Sequence, residues 1–228
     1  MKNSVAILIF AKEAHEESLE KLLAKKNRQN NIKALSKLNA YIKQKTSATK
    51  LSVFCSSQFN FSGLNSFGER ISEAISLVFQ KGYEKVICVG NDCPALLKND
   101  IIRAAELLMN SETVLGPDLN GGAYLMGLSK QSFDGEVFRD LEWQTENMFQ
   151  SYLSNFSNQS IVFLPSLQDI NTFEDLRTYS TLKYFISYLI AIISEIKTFL
   201  NQNISNILYQ GYTLILRFRG PPVFSFNS

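Results

Sequence analysis

The sequence predicts a doubly wound α/β fold, in which a mostly parallel sheet carries helices on both faces. Short apolar runs of strand length alternate along the chain with longer stretches of helical periodicity. The runs VAILIF (5–10) and KVICV (85–89) are apolar except for Lys85, as is typical of strands that helices bury on both faces. Ligands of such sheets bind beyond the carboxyl ends of the strands, and functional residues are expected there.

The other elements follow from the same two periodicities. Further strands are predicted for KLSVFCS (50–56), TVLGPD (113–118), GAYLMGLS (122–129) and SIVFLPS (160–166). Helices are predicted for a Lys-rich segment ending at about Lys45, for 68–82 with Gly82 as its terminator, for 99–110 with Asn99 or Asp100 as its N-cap, and for 145–156, which begins at Thr145.

A change of pattern divides a predicted domain (1–178) from a C-terminal helix and tail (179–228). Thr172 and Asp175 have the spacing of a capping box, in which each residue satisfies a backbone N–H of the other at the start of a helix. A helix is therefore expected to begin at this point and to lead into the C-terminal extension.

The C-terminal helix is predicted to continue through TLKYFISYLIAIISEIKTFL (181–200). Its uncharged stretch, 184–194, is well short of the ~20 residues that span a bilayer, so no transmembrane segment is expected. We expect this helix to pack on the domain or on a second copy of the chain as a homodimer. A peripheral contact with a membrane surface is the alternative. Residues 211–228 are predicted to form one more strand and a loose end.

Charge gives little indication of a nucleic-acid partner, because the net charge of the 228 residues is +2. The segment from Lys21 to Gly68 nevertheless contains no Asp or Glu while it carries many Lys residues. We interpret it as the solvated face of a helix, with an anion-binding surface as the alternative.

The three cysteines and the single histidine exclude several kinds of site. Cys55 and Cys88 lie in strand-like runs and are expected in the core, and Cys93 lies nearer a loop. His15 stands in a charged stretch, which argues against a zinc site and a Ser-His-Asp triad. The first apolar run is followed at once by Lys12 and fits a strand better than a signal peptide, so a cytoplasmic protein is expected.

Asp92 is the first candidate for chemistry. It stands in a G-x-D-x-P pattern directly after the run 85–89. A carboxylate held there suits Mg²⁺ or Mn²⁺ bridging a nucleotide diphosphate. An aspartate before a proline is also common in turns, because its side chain bonds to nearby backbone N–H groups. Both interpretations stay open on spacing alone.

A second candidate is the stretch VLGPDLNGGAYLMGL (114–128). Gly121 and Gly122 permit close approach of the backbone to a ligand, and paired N–H groups there can hold an anion. Asp118 adds a carboxylate. A glycine-rich hairpin turn is an equally good interpretation.

Four blocks of the sequence resemble, in order, those of a bacterial glycosyltransferase-like family of unknown function related to phospholactate guanylyltransferases. They are FGERISEAISLVFQKGYEKVICVGNDCPAL (67–96), VLGPDLNGGAYLMGL (114–128), FRDLEWQT (138–145) and LQDINTFEDL (167–176). The resemblance covers roughly Phe67 to Leu176. It implies a GT-A, nucleotide-diphospho-sugar transferase fold: a Rossmann-like three-layer α/β/α sandwich with a mixed, mostly parallel sheet.

The resemblance also implies a metal-dependent glycosyl- or nucleotidyl-transferase that uses a nucleotide or nucleotide-sugar donor with Mg²⁺ or Mn²⁺. By similarity Asp92 is the metal-binding aspartate, and Lys12 touches a phosphate. The other implied site residues are Gly121 and Gly122 of a D-G-G loop and Trp143 and Thr145 of a W-x-T block. The residues themselves, apart from the resemblance, offer Asp118 and Asp169 as the available carboxylates for a general base.

The sequence departs from the family pattern in two places. The segment AKEAHEESLEKLL (11–23) keeps Lys12 but lacks the proline, glycine and K-T-R triplet of the family's phosphate-binding segment, and it places Glu16 and Glu17 there. Asn120 also replaces the aspartate of the D-G-G loop. These departures lead to a second hypothesis, a catalytically impaired relative that acts as a binding or scaffolding module.

Overall fold

The computed structural model describes residues 4–24, 27–179 and 182–193. Within these residues, six strands form one sheet. They are β1 (Val5–Ile9), β2 (Ser52–Cys55), β3 (Lys85–Val89), β4 (Thr113–Pro117), β5 (Ala123–Ser129) and β6 (Ile161–Phe163). All the predicted strands of the described chain are thus present.

The strand order across the sheet is β2-β1-β3-β5-β4-β6. Strand β1 pairs in parallel with β2 and β3, and β4 pairs in parallel with β6. Only β5 runs antiparallel to its neighbours, β3 and β4. The prediction of a mixed, mostly parallel sheet is confirmed, and the carboxyl ends of five strands meet at one edge.

Helices cover both faces of this sheet. They are α1 (Ala14–Glu17), α2 (Arg28–Ser47), α3 (Phe67–Gln80), α4 (Lys98–Leu107), α5 (Gly135–Arg139), α6 (Met148–Asn155), α7 (Phe173–Thr178) and α8 (Lys183–Ile193). Side chains of α2 and α4 share one buried cluster with the sheet, whereas those of α3, α5 and α6 share another.

Strand β1 shows why the apolar runs are continuous. Ile7 packs into the cluster that contains Ile101 of α4, while the next residue, Leu8, packs into the cluster that contains Val78 of α3. Successive side chains of a strand point to opposite faces, so a strand with helices on both sides needs apolar residues at every position. Replacing Ile7 by Ala would cost about 2–5 kcal/mol.

Two predicted helix starts are wrong. The N-cap of α4 is Leu97, and Asp100 lies inside the helix, where its carboxylate accepts a 2.8 Å hydrogen bond from the Leu97 backbone N–H. Asn99 also lies inside α4. Thr145 precedes α6, which begins at Met148. In both cases the polar side chain stands near the helix start, but a neighbour occupies the capping position.

The predicted capping box at Thr172 is confirmed, since its side chain accepts a hydrogen bond from the Asp175 N–H. The predicted continuous helix is wrong. Helix α7 ends at Thr178, Tyr179 is extended, and Leu182 adopts a positive φ of 55° before α8 begins. Helix α8 is therefore separate from α7.

Helix α8 packs on α2, where the rings of Phe185 and Tyr41 stack with centroids 4.3 Å apart. Its residues Ile186 and Leu189 are buried in a cluster shared with α2 and α7. Packing on the domain is thus confirmed for α8, and a homodimer contact stays a prediction. No helix within the described ranges is long and apolar enough to cross a membrane. The strand predicted in 211–228 lies outside the described residues.

Candidate functional site

A cleft of about 700 Å³ opens at the carboxyl edge of the sheet, beyond β1 and β3. Its wall combines the segment after β1, the turn after β3 and side chains from α3 and from the loop before α6. The charged or polar residues of this wall are Lys12, Glu13, Glu16, Glu17, Glu20, Lys21, Ser56, Ser57, Arg70, Asn91, Asp92, Gln144 and Asn171, with Trp143 beside them. We call it the Asp92 cleft.

Asp92 lies at the end of the turn that follows β3, as the sequence predicts. A side chain on Gly90 would put its Cβ 2.9 Å from Asp92 Oδ1, so glycine leaves room for the carboxylate to fold back over the strand end. The backbone carbonyl of Asp92 accepts a 2.8 Å hydrogen bond from Ile170 N–H. The Asp92 side chain stays 35% exposed and its Oδ2 lies 4.0 Å from Lys21 Nζ.

The neighbouring Asn91 ties the segment after β1 to this turn. Its amide nitrogen donates to Glu17 Oε2 at 2.8 Å and to Asn39 Oδ1 at 2.6 Å. Burial raises the pKa of Glu17, while Lys21 and Asn91 oppose that shift. Glu17 is also 3.7 Å from Lys21 Nζ, one helical turn further along the chain. Glutamate and lysine four residues apart often form an ion pair on a helix, so this spacing is a sequence signal that could have indicated the contact.

Lys12, the predicted phosphate contact, lines the cleft and forms an ion pair with Glu20. Its backbone carbonyl accepts a 3.2 Å hydrogen bond from the side-chain amide of Asn39. Both lysines of this cleft wall, Lys12 and Lys21, therefore stand against carboxylates of their own segment.

The loop between β4 and β5 is closed by Asp118. Its Oδ1 accepts hydrogen bonds from the backbone N–H groups of Asn120 (2.7 Å) and Gly122 (2.8 Å). Gly121 has a φ of 88°, and a Cβ there would lie 2.0 Å from the carbonyl oxygen of Glu146. Gly121 thus allows the backbone of its loop to approach the loop before α6 closely.

Asp169 lies beneath this loop and is only 6% exposed. Its two carboxylate oxygens accept hydrogen bonds from the side-chain amides of Asn120 and Asn171. Burial raises the pKa of Asp169, and the charges of Asp92 and Asp118 raise it further. The charges of Asp92 and Asp118 thus act on Asp169, whose carboxylate is held by two side-chain amides.

Trp143 and Thr145 have different positions. Trp143 lines the Asp92 cleft, donates from Nε1 to the carbonyl of Phe138 at 2.8 Å, and packs on Phe67 with ring centroids 5.3 Å apart. Thr145 donates to the carbonyl of Glu142 at 2.8 Å within its own turn. Among the predicted site residues, the cleft wall includes Lys12, Asp92 and Trp143, whereas Asp118, Asn120, Gly121, Gly122, Thr145 and Asp169 lie outside it.

The cysteines near this edge are part of the core. Cys88 and Cys93 are both buried, and burial raises the pKa of each thiol to about 12. A thiolate is the reactive form of cysteine, so these two residues are unsuited to nucleophilic catalysis at neutral pH.

The donor set decides what kind of metal site is compatible with the cleft. Among the described residues, no group of three or more His, Cys, Asp and Glu side chains is placed to hold a metal ion. Mg²⁺ bound with a nucleotide takes only one or two carboxylates from the protein, and phosphate and water oxygens complete its shell. Asp92 meets that requirement, since its carboxylate lies in the cleft and is 35% exposed, with the Lys21 ammonium group as its cationic neighbour. The residues fit a divalent cation that arrives together with a nucleotide.

The mixed sheet and the cleft at its carboxyl edge define an α/β protein of the nucleotide-diphospho-sugar transferase, GT-A-like fold. A family model described as "Uncharacterized protein conserved in bacteria (DUF2064)" matches residues 23–145. The chain belongs to this family. No curated protein matches it in sequence.

One solved structure supports the fold, and two others are more distantly similar. A protein from Desulfovibrio desulfuricans G20, provisionally assigned as a nucleotide-diphospho-sugar transferase, is 19% identical, with a TM-score of 0.70 over 86% of this chain and 98% of its own. A cytidylyltransferase from Leptospira borgpetersenii is 19% identical, with a TM-score of 0.40 over 90% and 96% of the two chains. A glycosyltransferase involved in glycosylation of the major capsid of PBCV-1 is 13% identical, with a TM-score of 0.44 over 71% and 81%. At such identities the first likeness shows the fold alone.

Proposed function

We propose that the chain is a metal-dependent transferase that binds a nucleotide or nucleotide sugar in the Asp92 cleft and transfers a glycosyl or nucleotidyl group. The observation that carries this proposal is the charge of the cleft. Its wall contains five carboxylates against three cations: Glu13, Glu16, Glu17, Glu20 and Asp92 against Lys12, Lys21 and Arg70. A diphosphate would be repelled by this surplus unless a divalent cation accompanied it.

Each residue of the cleft then has a role that follows from its position. Asp92 holds Mg²⁺ or Mn²⁺, because it is the carboxylate at the strand end with an exposed oxygen. The ion, when bound, neutralises the charge that develops on the leaving phosphate. Lys12 meets a phosphate, and Trp143 forms an apolar wall for the base or sugar. Asp118 keeps the neighbouring loop closed through its two backbone hydrogen bonds.

A catalytically impaired relative that acts as a binding or scaffolding module is the second candidate. The hydrogen bonding of Asp169 favours this candidate. Both of its carboxylate oxygens accept hydrogen bonds from side-chain amides, those of Asn120 and Asn171, instead of facing a cation. Lys12 is likewise paired with Glu20. In this hypothesis the chain keeps the fold and the cleft but lacks the free carboxylate and lysine charges that turnover needs.

Thermal denaturation tests the binding step that a transferase requires. A panel of nucleotides and nucleotide sugars is added with and without Mn²⁺, and we expect a much larger rise in melting temperature when both components are present than with either one alone. The Asp92→Asn variant should lose this rise. The matched control is Asp140→Asn, an exposed aspartate paired with Arg139 outside the cleft, which should keep it. Absence of a rise for the wild type across the whole panel would refute the transferase.

A further inference from the structure

Lys21 is placed between two carboxylates at the mouth of the site. Its Nζ lies 3.7 Å from Glu17 Oε1 and 4.0 Å from Asp92 Oδ2. Its side chain is only 12% exposed, although it lines the cleft. Among the described residues, Lys21 is the only cationic side chain within ion-pair distance of Asp92. The ammonium group is therefore the cation that faces the Asp92 carboxylate in this structure.

From this geometry we infer that Lys21 is the placeholder counter-ion of Asp92, which a divalent cation displaces. The inference rests on the proposed role of Asp92 as a metal ligand. An ammonium group and a divalent ion repel each other strongly at such short separations, so the two compete for one carboxylate. Glu17 gives the displaced lysine a second partner, since it already lies slightly closer to Lys21 than Asp92 does.

Displacement has a consequence for the nucleotide. With Asp92 occupied by the metal, Lys21 retains only Glu17 as a partner and becomes available to an anionic group in the cleft. The same lysine thus opposes the metal when it binds alone and assists the nucleotide when the metal is present. Removing its charge should change these two affinities in opposite directions, which a purely structural role would not do.

The test measures binding of Mn²⁺ alone, without nucleotide, from the loss of the free-ion signal in electron paramagnetic resonance. Lys21→Gln should bind Mn²⁺ at least about fivefold more tightly than the wild type, because a unit charge 4 Å away changes affinity by this factor even in the dielectric of water. Lys21→Arg, which keeps the charge, should resemble the wild type. Circular dichroism melts establish that each variant is folded, and Lys21→Met serves as a second neutral variant.

Arg70→Gln is the matched control, because Arg70 lines the same cleft but makes no ion pair with Asp92 among the described contacts. It should change Mn²⁺ affinity much less than Lys21→Gln. Equal effects of the two variants, or an unchanged or undetectable Mn²⁺ affinity in Lys21→Gln and Lys21→Met, would overturn the placeholder role.

A second titration separates this outcome from failure of the proposed function. Nucleotide affinity is measured at saturating Mn²⁺ for the wild type and Lys21→Gln. Weaker nucleotide binding by the variant supports the placeholder role, and unchanged or tighter binding contradicts it. If the wild type binds no nucleotide, the transferase proposal is refuted, and this holds whatever effect Lys21→Gln has on the binding of Mn²⁺ alone.

Discussion

The side-chain amide of Asn120 donates a hydrogen bond to the carboxylate of the buried Asp169. Asn120 is the residue that replaces an aspartate in the loop pattern, so the amide now occupies a position where two carboxylates would otherwise meet. A neutral donor removes the need for a shared cation or proton at this point. This contact therefore bears on whether the site still depends on metal.

We predict that Asn120→Asp destabilises the metal-free protein by about 2 kcal/mol, because a hydrogen bond to a buried charge becomes a carboxylate repulsion. The loss should shrink as pH falls, since a protonated carboxyl can again donate to its neighbour. Mn²⁺ should restore stability in this variant by a larger amount than in the wild type. Urea denaturation with and without Mn²⁺ measures both effects.

The matched control for that variant is Asn60→Asp. Asn60 accepts hydrogen bonds from Ser62 through its Oδ1, and an aspartate keeps this acceptor. Its stability and its response to Mn²⁺ should follow the wild type. An Asn120→Asp protein that is as stable as the wild type and shows no greater response to Mn²⁺ would contradict the role given to the Asn120 amide.

Gly121 connects the Asp118 loop to the segment before α6. Its carbonyl accepts a 3.0 Å hydrogen bond from the Phe149 N–H, and a Cβ would lie 2.0 Å from the Glu146 carbonyl oxygen. We predict that Gly121→Ala lowers the free energy of unfolding by more than about 2 kcal/mol, since the backbone must move as well as tolerate a positive φ. Urea denaturation measures this loss.

Gly63→Ala separates the clash from the backbone strain. Gly63 has a φ of 85°, close to that of Gly121, but a Cβ there would meet nothing within 4 Å. Its loss should be about 1 kcal/mol, the contribution of the positive φ alone. Equal losses in the two variants would show that the loop does not depend on its contact with Glu146.

The fold was predictable because its signals are local. A strand buried on both faces is apolar at nearly every residue, as in β1 and in β3 after Lys85. The position of Asp92 at the edge of the sheet was predictable because it directly follows β3. The other side of the cleft was not predictable in this way. Glu17 and Asn91 are 74 residues apart in sequence, and only the packing of the segment after β1 brings them together.

The Lys-rich segment shows a second limit. The sequence predicts a solvated face for its lysines, yet Lys45 of α2 is half-buried and donates from Nζ to the carbonyls of Pro94 (2.7 Å) and Leu96 (2.5 Å). Composition and charge predict that a lysine lies on the surface. The partners of Lys45 are backbone carbonyls, which every residue has, so no residue type in the sequence indicates this contact. Lys45 fixes the chain just after Asp92, so it supports the site from outside.

Burial lowers the pKa of Lys45 to about 8 from its ordinary 10.5. Between these two values the unfolded chain binds more protons than the folded one, so this residue makes stability rise with increasing pH. We predict that the wild type gains stability over Lys45→Met between about pH 7.5 and about pH 9.5. Urea denaturation at both pH values gives the difference.

Lys43→Met is the matched control, because Lys43 lies on the exposed side of the same helix. The stability difference between this variant and the wild type should stay constant across the same pH interval. A constant difference for Lys45→Met as well would mean that the charge of Lys45 is not suppressed by its surroundings.

Trp143 offers a direct measurement of ligand position, because it is the single tryptophan of the chain and lines the same cleft as Asp92. We predict that a nucleotide with Mn²⁺ changes the tryptophan emission saturably, since the indole face borders the space a base or sugar would fill. The Asp92→Asn variant should show no such change, whereas Asp140→Asn should behave as the wild type. An equal emission change in Asp92→Asn would place the ligand elsewhere, because binding would then be independent of the carboxylate on which the proposed chemistry depends.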